Sequence, residues 1–301
     1  MKWKTIIGSG QVGIHSYPHT LEDALDSIIW GIERVKRIGF AAIEYNVEGW
    51  NAFLRGSGHI LEDIPIEVCR QAAERAKEIG LSQNSIHGLT LGSGSDLNDH
   101  EAILKRQRRF IDVAYALDAK IMVLHLPADE SAFYNTPAFL TAKARDVKLV
   151  KAVGEYAADK DVMVGVENGN TRYVRIIVDE VAMDNVGFTL DTGHYNMESL
   201  TPNFIKGIRY LSEKLFHVHL NSNDGLLDLH YPVGDEGTVP WDDVFRTLHK
   251  VGYRGIFMQE SVIFPYGVGE HTDEEVDQKW SITLSNIKNY IIRYWGKGDK
   301  E

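Results

Sequence analysis

Seven short segments of this chain, each rich in Val, Ile or aromatic residues, finish on a side chain that can carry a proton or hold a metal ion. They are Ile43-Glu44, Ser85-Ile86-His87, Val123-Leu124-His125, Val166-Glu167, Thr189-Leu190-Asp191, His217-Val218-His219 and Gln259-Glu260. One acid in such a place is most often a helix cap or a solvated loop residue. Seven in the same position within their segments imply a common destination. If the segments are strands, residues of one parity share a face, so Gly165 and Glu167, Thr189 and Asp191, His217 and His219, and Met258 and Glu260 all point the same way. Carboxylates crowded into one small space repel one another and must be protonated or neutralised by a cation. A divalent ion meets that need. Three carboxylates and one imidazole, with no thiolate, suit Mn2+, Mg2+, Co2+ or Zn2+. His219 lies nearer the segment end than His217 and is the expected imidazole ligand, with His217 a supporting or packing residue.

The elements that would position these groups follow from periodicity. Strands are expected at Ala41 to Tyr45, Gln83 to His87, Lys120 to Leu126, Val162 to Asn168, Val186 to Asp191, Leu215 to Asn221 and Gly255 to Glu260, with an eighth within Thr5 to Ile14. Helical patterns lie between and around them: Leu21 to Ile38, Ile66 to Ile79, His100 to Leu117, Pro137 to Asp159, Val174 to Met183, Pro202 to Lys214, Trp241 to Val251 and Asp273 to Tyr294. Eight β-α units with no linker and no shift in composition predict an α/β protein, a single (β/α)8 TIM barrel spanning 1–301, with an open doubly wound sheet as the alternative. In a barrel the strand ends converge at the C-terminal face, where such folds place their chemistry.

Composition narrows the function. The 301 residues are 44% apolar and 25% charged, with 32 basic and 43 acidic residues and a net charge of −11. A polyanion such as a nucleic acid is therefore not an expected partner, and neither is a membrane. Neither GxGxxG nor GxxxxGK[ST] follows a strand, so nucleotide binding has no support. The one cysteine, Cys69, falls in a helical pattern and reads as a small buried apolar residue. The opening Met1 to Gly8 holds only a two-residue apolar run, too short for a signal-peptide core, and a cytoplasmic location is expected.

The residues at the strand ends also resemble a family, the xylose isomerase-like TIM barrels, which include sugar and inositol isomerases, ketose 3-epimerases and endonuclease IV-type repair enzymes. The likeness runs from about Ala41 and rests on Ile86-His87-Gly88, Val123-Leu124-His125, Val166-Glu167-Asn168, Leu190-Asp191-Thr192-Gly193-His194, His217-Val218-His219-Leu220-Asn221, Asp228-Leu229-His230, Val239-Pro240-Trp241 and Gln259-Glu260. The resemblance implies that Glu167, Asp191, His219 and Glu260 hold one divalent ion, with Mn2+ favoured. It further implies that Glu167 and Glu260 act as acid and base on a carbohydrate through an enediolate, while His194 bonds a substrate oxygen. Glu44, His87, His125, Asp228, His230 and Trp50 are the remaining expected substrate contacts, with Trp241 and Phe264 as further apolar walls or packing residues. The long stretch Asn221 to Val239 and the stretch Val47 to Pro65 are expected to cover the mouth, the second as a lid, with an ordinary surface insertion or an oligomer contact as the alternative.

Three alternatives stand beside the isomerase or epimerase, one of them a non-catalytic barrel that binds a sugar or a metal. The nuclease branch holds three zinc ions, and His87, His125, Glu167, Asp191, His194, His219, Asp228, His230 and Glu260 are counterparts for all its ligands, which would make a phosphodiesterase. A lyase acting on 3-keto sugars or glycosides is the third. The sequence departs from the ketose 3-epimerase pattern where a Glu six residues after the first ligand and an Arg six after the ligand histidine grip the substrate; here those places hold Tyr173 and Gly225. That points away from a free ketose and toward keto-inositols, hydroxypyruvate-like acids or 3-keto sugars. A homo-oligomer is possible within the family.

Overall fold

A computed structural model describes residues 24–46, 65–81, 84–93, 95–127, 134–234, 236–261 and 272–296. The expected eighth strand within Thr5 to Ile14, residues 47–64 of the expected lid, Trp50 and Phe264 lie outside the described residues. In chain order the elements are α1 (Ala24–Ile38), β1 (Glu44–Asn46), α2 (Ile66–Glu78), β2 (Asn84–His87), α3 (His100–Ala116), β3 (Ala119–His125), α4 (Pro137–Ala158), β4 (Met163–Glu167) and α5 (Thr171–Val181). They continue as β5 (Val186–Asp191), α6 (Thr192–Met197), α7 (Phe204–Leu211), a 3-10 turn (Ser212–Lys214), β6 (Leu215–Leu220), α8 (Trp241–Lys250), β7 (Phe257–Gln259) and α9 (Asp273–Trp295).

All seven strands are parallel and pair in the order β1 to β7, each with its sequence neighbour. The sheet curls into a nearly closed barrel. Strands lie about 4.8 Å apart, so β1 and β6 would be roughly 24 Å apart in a flat sheet. Instead Glu44 on β1 has Oε2 3.0 Å from His217 Nε2 on β6. Closure is what lets side chains from distant strands share one interior.

The two sheet faces carry different chemistry because successive side chains alternate. Outward residues such as Met122, Leu124, Val164, Val166, Phe188, Leu190, Val218 and Leu220 are fully buried against the helices and make the main apolar core. Inward residues begin at the floor with the small cluster Ala42, Ile256 and Met258, and become polar toward the C-terminal ends. The interior is tight: a Cβ on Gly165 would collide with Thr189 Oγ1 on the next strand. The helices begin where the sequence offers a cap. Asp99 accepts from Ala102 N at 3.0 Å to start α3, Thr136 accepts from Phe139 N at 3.2 Å ahead of Pro137 in α4, and Thr272 with Glu275 forms a capping box on α9. Cys69 is buried on α2, as its setting in the pattern implied.

Three boundaries differ from the sequence expectation. The expected Ala41 to Tyr45 strand pairs only from Glu44, so Glu44 opens β1 instead of ending it. Its register partner is Ser85, and Asn46 is the residue opposite His87. Glu44 therefore sits one layer below the strand ends. The helix expected at Val174 to Met183 starts three residues earlier, because the Asn170 side chain accepts from Tyr173 N at 3.0 Å and caps it at Thr171. The six-residue α6 follows Asp191 directly.

Candidate active site

The strand ends meet around Glu167, at the end of β4 and fully buried. Its carboxylate faces four imidazoles: His125 Nε2 at 3.2 Å, His194 Nδ1 at 3.2 Å, His219 Nδ1 at 3.3 Å and His87 Nε2 at 3.6 Å. Neither carboxylate oxygen receives a well-directed hydrogen bond from any of them, and the Nδ1 atoms of His194 and His219 are likewise buried without one. Donor atoms that crowd together while failing to bond one another are aimed at a common point between them. One donor atom each from Glu167, Asp191, His219 and Glu260 lies within 4.8 Å of the others, which is the spacing of a metal-ligand set. Those four are the residues the sequence singled out.

Two asparagines hold this set in place, and sequence reasoning gave them no role. Asn168 brackets the backbone of Asp191, with Nδ2 donating to Asp191 O at 3.0 Å and Oδ1 accepting from Asp191 N at 2.7 Å. Asn221 Nδ2 donates to Asp191 Oδ2 and lies 3.5 Å from Glu260 Oε2. The other Asp191 oxygen, Oδ1, accepts from His194 N at 2.6 Å and so caps α6. Gly193 has to be glycine here, because a Cβ would strike Asn221 Oδ1. The available signal was an Asn one or two residues beyond an acid or imidazole at the end of an apolar run, in Glu167-Asn168 and His219-Leu220-Asn221.

Electrostatics follow from crowding without water. Burial raises the Asp191 carboxyl, His194 partly offsets this, and the Glu260 and Glu167 charges reinforce it, to about 7. Burial opposes ionisation of Glu260 as well, but the His219 imidazole beside it, at 3.0 Å, holds it down at about 2. Glu167, against the same cost, is held well below the usual range by His125 and His219. His87 is pulled down by burial but pushed up to about 9 by Glu167, Glu260 and Glu44. Burial is the largest of these effects at Asp191, and the neighbouring acids add to it.

After β6, residues 221–231 double back beside this centre. Ser222 and Tyr231 form an antiparallel bridge, which brings back His230, a non-glycine residue in the left-handed region at φ 48°. His230 Nδ1 donates to Glu260 O at 3.0 Å, and its Nε2 is 3.2 Å from Asp228 Oδ2, itself 3.3 Å from His194 Nε2. His194, Asp228 and His230 thus form a second donor group at the mouth, and His87, His125 and Glu167 form a third. Burial and the Asp228 carboxylate act oppositely on His230, and the carboxylate, with Glu260 and Asp191, wins, raising it to about 10.

Other residues of interest lie elsewhere. Glu44, expected at the mouth, is fully buried beneath His219, bonded to His217 and His219 of β6 and to Ser85. Trp241 is buried at the start of α8 against Phe245 and packs rather than lines the mouth. Tyr173 turns its hydroxyl away to Asp146 Oδ2 on α4, at 2.7 Å. Arg172 lies over the Tyr134 ring, 4.2 Å from its centroid.

With fold and site in view, the chain belongs to the xylose isomerase-like TIM barrel family, whose profile matches residues 32–280. Among curated proteins it is similar to an uncharacterized protein of Methanocaldococcus jannaschii, 24% identical over 234 residues, covering 72% of this chain and 76% of that protein. It is also similar to L-ribulose 3-epimerase of Methylomonas sp. (strain DH-1), 26% identical over 227 residues, covering 71% of this chain and 72% of the relative. Among solved structures, D-psicose 3-epimerase in the presence of D-fructose superposes with a TM-score of 0.72 at 18% identity, covering 96% of this chain and 99% of that one. The 3-keto-D-glucoside 4-epimerase YcjR from E. coli does so with 0.69 at 15%, covering 94% and 100%. At such identities the structural likeness speaks for the fold. Among the described residues, no helix is long and apolar enough to cross a membrane.

Proposed function

We propose that the protein is a metal-dependent sugar isomerase or epimerase that moves a proton at a carbon next to a carbonyl of a keto-sugar or keto-inositol. The observation that carries this reading is the convergence of Glu167, Asp191, His219 and Glu260 on one point, where both Glu167 oxygens and His219 Nδ1 are buried without a well-directed hydrogen bond. The donor set fits a divalent ion, Mn2+ in first place, with Mg2+, Co2+ or Zn2+ alternatives. Such an ion, when bound, polarises a substrate carbonyl and makes the adjacent C–H more acidic.

The chain's own residues supply the rest. Glu167 and Glu260 are both carboxylates at neutral pH, so each can accept a proton from a carbon beside it. Glu167 is fully buried and Glu260 partly exposed, and together they flank His219 Nδ1. One removes the proton and the other returns one, which changes configuration or shifts the carbonyl. His194, His87, His125, Asp228 and His230 ring the mouth as donors and acceptors for substrate hydroxyls. The wall that grips a free ketose is built differently here. Tyr173 is committed to Asp146 and Gly225 offers no side chain, which favours a ring or glycoside substrate over an open ketose.

A second reading has its own observation. The groups His87-His125-Glu167 and His194-Asp228-His230 adjoin the central set, as three zinc ions in a phosphodiesterase would require. Metal content per chain, measured by plasma mass spectrometry on protein purified without chelator, separates the two. About one ion per chain, with deuterium from solvent appearing in an inosose or 3-keto glycoside, is the expected result. Three zinc ions with cleavage of an abasic-site phosphodiester would replace it. His87→Ala and His125→Ala repeat the test on the residues. Under the isomerase reading the ion stays and KM rises; under the trinuclear reading metal is lost.

A further inference from the structure

Beneath the four donors lies a polar layer that ordinary barrel packing does not require. Glu44, Ser85, His217 and Thr189 are all fully buried there, between the donors above and the apolar floor of Ala42, Ile256 and Met258. A buried carboxylate costs several kcal/mol unless it is bonded on every side. Glu44 is so bonded. Ser85 Oγ donates to Oε2 at 2.7 Å, His217 Nε2 donates to Oε2 at 3.0 Å, and His219 Nε2 lies 3.1 Å from Oε1. The His219 ring therefore has a carboxylate on each edge, with Nε2 facing Glu44 below and Nδ1 facing Glu260 and Glu167 above at 3.0 and 3.3 Å.

An imidazole that holds a cation must present a bare lone pair, and its other nitrogen must carry the proton. We propose that Glu44 is a positioning residue for His219: it accepts the Nε2 proton from beneath and so aims the Nδ1 lone pair into the space between Glu167, Asp191 and Glu260, while His217 and Ser85 fix the Glu44 carboxylate in turn. Glu44 touches neither the substrate nor the ion. Its charge raises the donor strength of His219, and its fixed geometry removes the ring's choice of tautomer. Partners of this kind typically change metal affinity by 10- to 100-fold. Their carboxylates can come from any strand that reaches the second nitrogen, and here β1 does so across the barrel.

This inference rests on His219 being a ligand, and the experiment separates the two claims. Full-length protein is titrated with Co2+ against a competing chelator, following the visible bands of the bound ion, for wild type, Glu44→Gln and Glu44→Ala. Wild type binds; Glu44→Ala binds roughly 100-fold more weakly; Glu44→Gln, whose amide oxygen still accepts the proton, recovers to within about 10-fold. A nitrogen-15 histidine correlation spectrum of the Zn2+-loaded wild type then shows His219 with its proton on Nε2, a readout that no variant's folding can obscure. Unchanged affinity in both variants overturns the positioning role while leaving the functional reading intact; a proton on Nδ1 of His219 removes that residue from the donor set and overturns both. Failure of wild type to bind any divalent ion overturns both.

Discussion

At the scale of single residues, the site works by denying its side chains the partners they would have in water. Glu167 is surrounded by imidazoles that approach without bonding it well, and burial, reinforced by the Glu260 and Glu167 charges, raises the Asp191 carboxyl to about 7. Glu167→Gln and Glu260→Gln each remove a donor charge and a proton acceptor together. Each is expected to lower kcat by about 10^2- to 10^4-fold, with the circular dichroism spectrum and Tm close to wild type. Wild-type turnover in either variant would remove the two-base mechanism. The two substitutions should differ in one respect. Glu260, at the partly exposed rim, leaves a path for water to stand in as base, so the Glu260 variant should retain more deuterium exchange than the Glu167 variant under the same conditions.

At the scale of elements, what could be read in the sequence was set by what repeats. The apolar runs and their ionisable ends gave the strands, the barrel and the donors Glu167, Asp191, His219 and Glu260, since alternation fixes which side chains share a face. Depth could not be read that way. The run Ala41 to Tyr45 looks like its neighbours, but only pairing with β2 decides that Glu44 lies a layer below the mouth. Helix α6 escaped for a related reason, since six residues hold too few turns to show a period, and its start depends on Asp191 acting as a cap. Register also explains Gly165, which lies directly beneath Glu167 on β4, faces the interior and leaves room for Thr189 on β5. Gly165→Ala is expected to lose about 1–3 kcal/mol of stability by overpacking, seen as a lower midpoint in urea. Thr189→Ala alone should cost less, because Thr189 Oγ1 is buried without a hydrogen-bond partner. The double substitution should recover most of the loss, since removing Oγ1 takes away the atom in collision. Additive losses in the double variant would show that the strain lies in the backbone.

At the scale of the whole molecule, the ring of helices is fastened where its first and last described members meet. Arg34 on α1 is buried between the rings of Trp30 and Trp280 and bonds Asp277 on α9, which also accepts from Arg37 Nη2 at 2.7 Å. Burial works against the Asp277 charge, but the two guanidiniums hold its pKa below 3.8. A carboxyl lowered on folding adds stability that is full above its unfolded pKa and lost as pH falls through the folded one. Asp277→Asn should therefore lower Tm at pH 7 by roughly 3–10 °C, and the gap to wild type should narrow as the pH drops below about 4. A gap that stays constant to pH 2.5 would show that the clasp acts through packing alone. The donors beneath the mouth have a different relation to the chain's length. Glu44 and His219 stand 175 positions apart in sequence and 3.1 Å apart in space. A ribosome therefore releases the carboxylate long before the imidazole that will cover it, and throughout that interval the inner face of the growing sheet must stay wet. Glu44 can gain its β6 partners only once the sheet has curled far enough to bring β1 against β6.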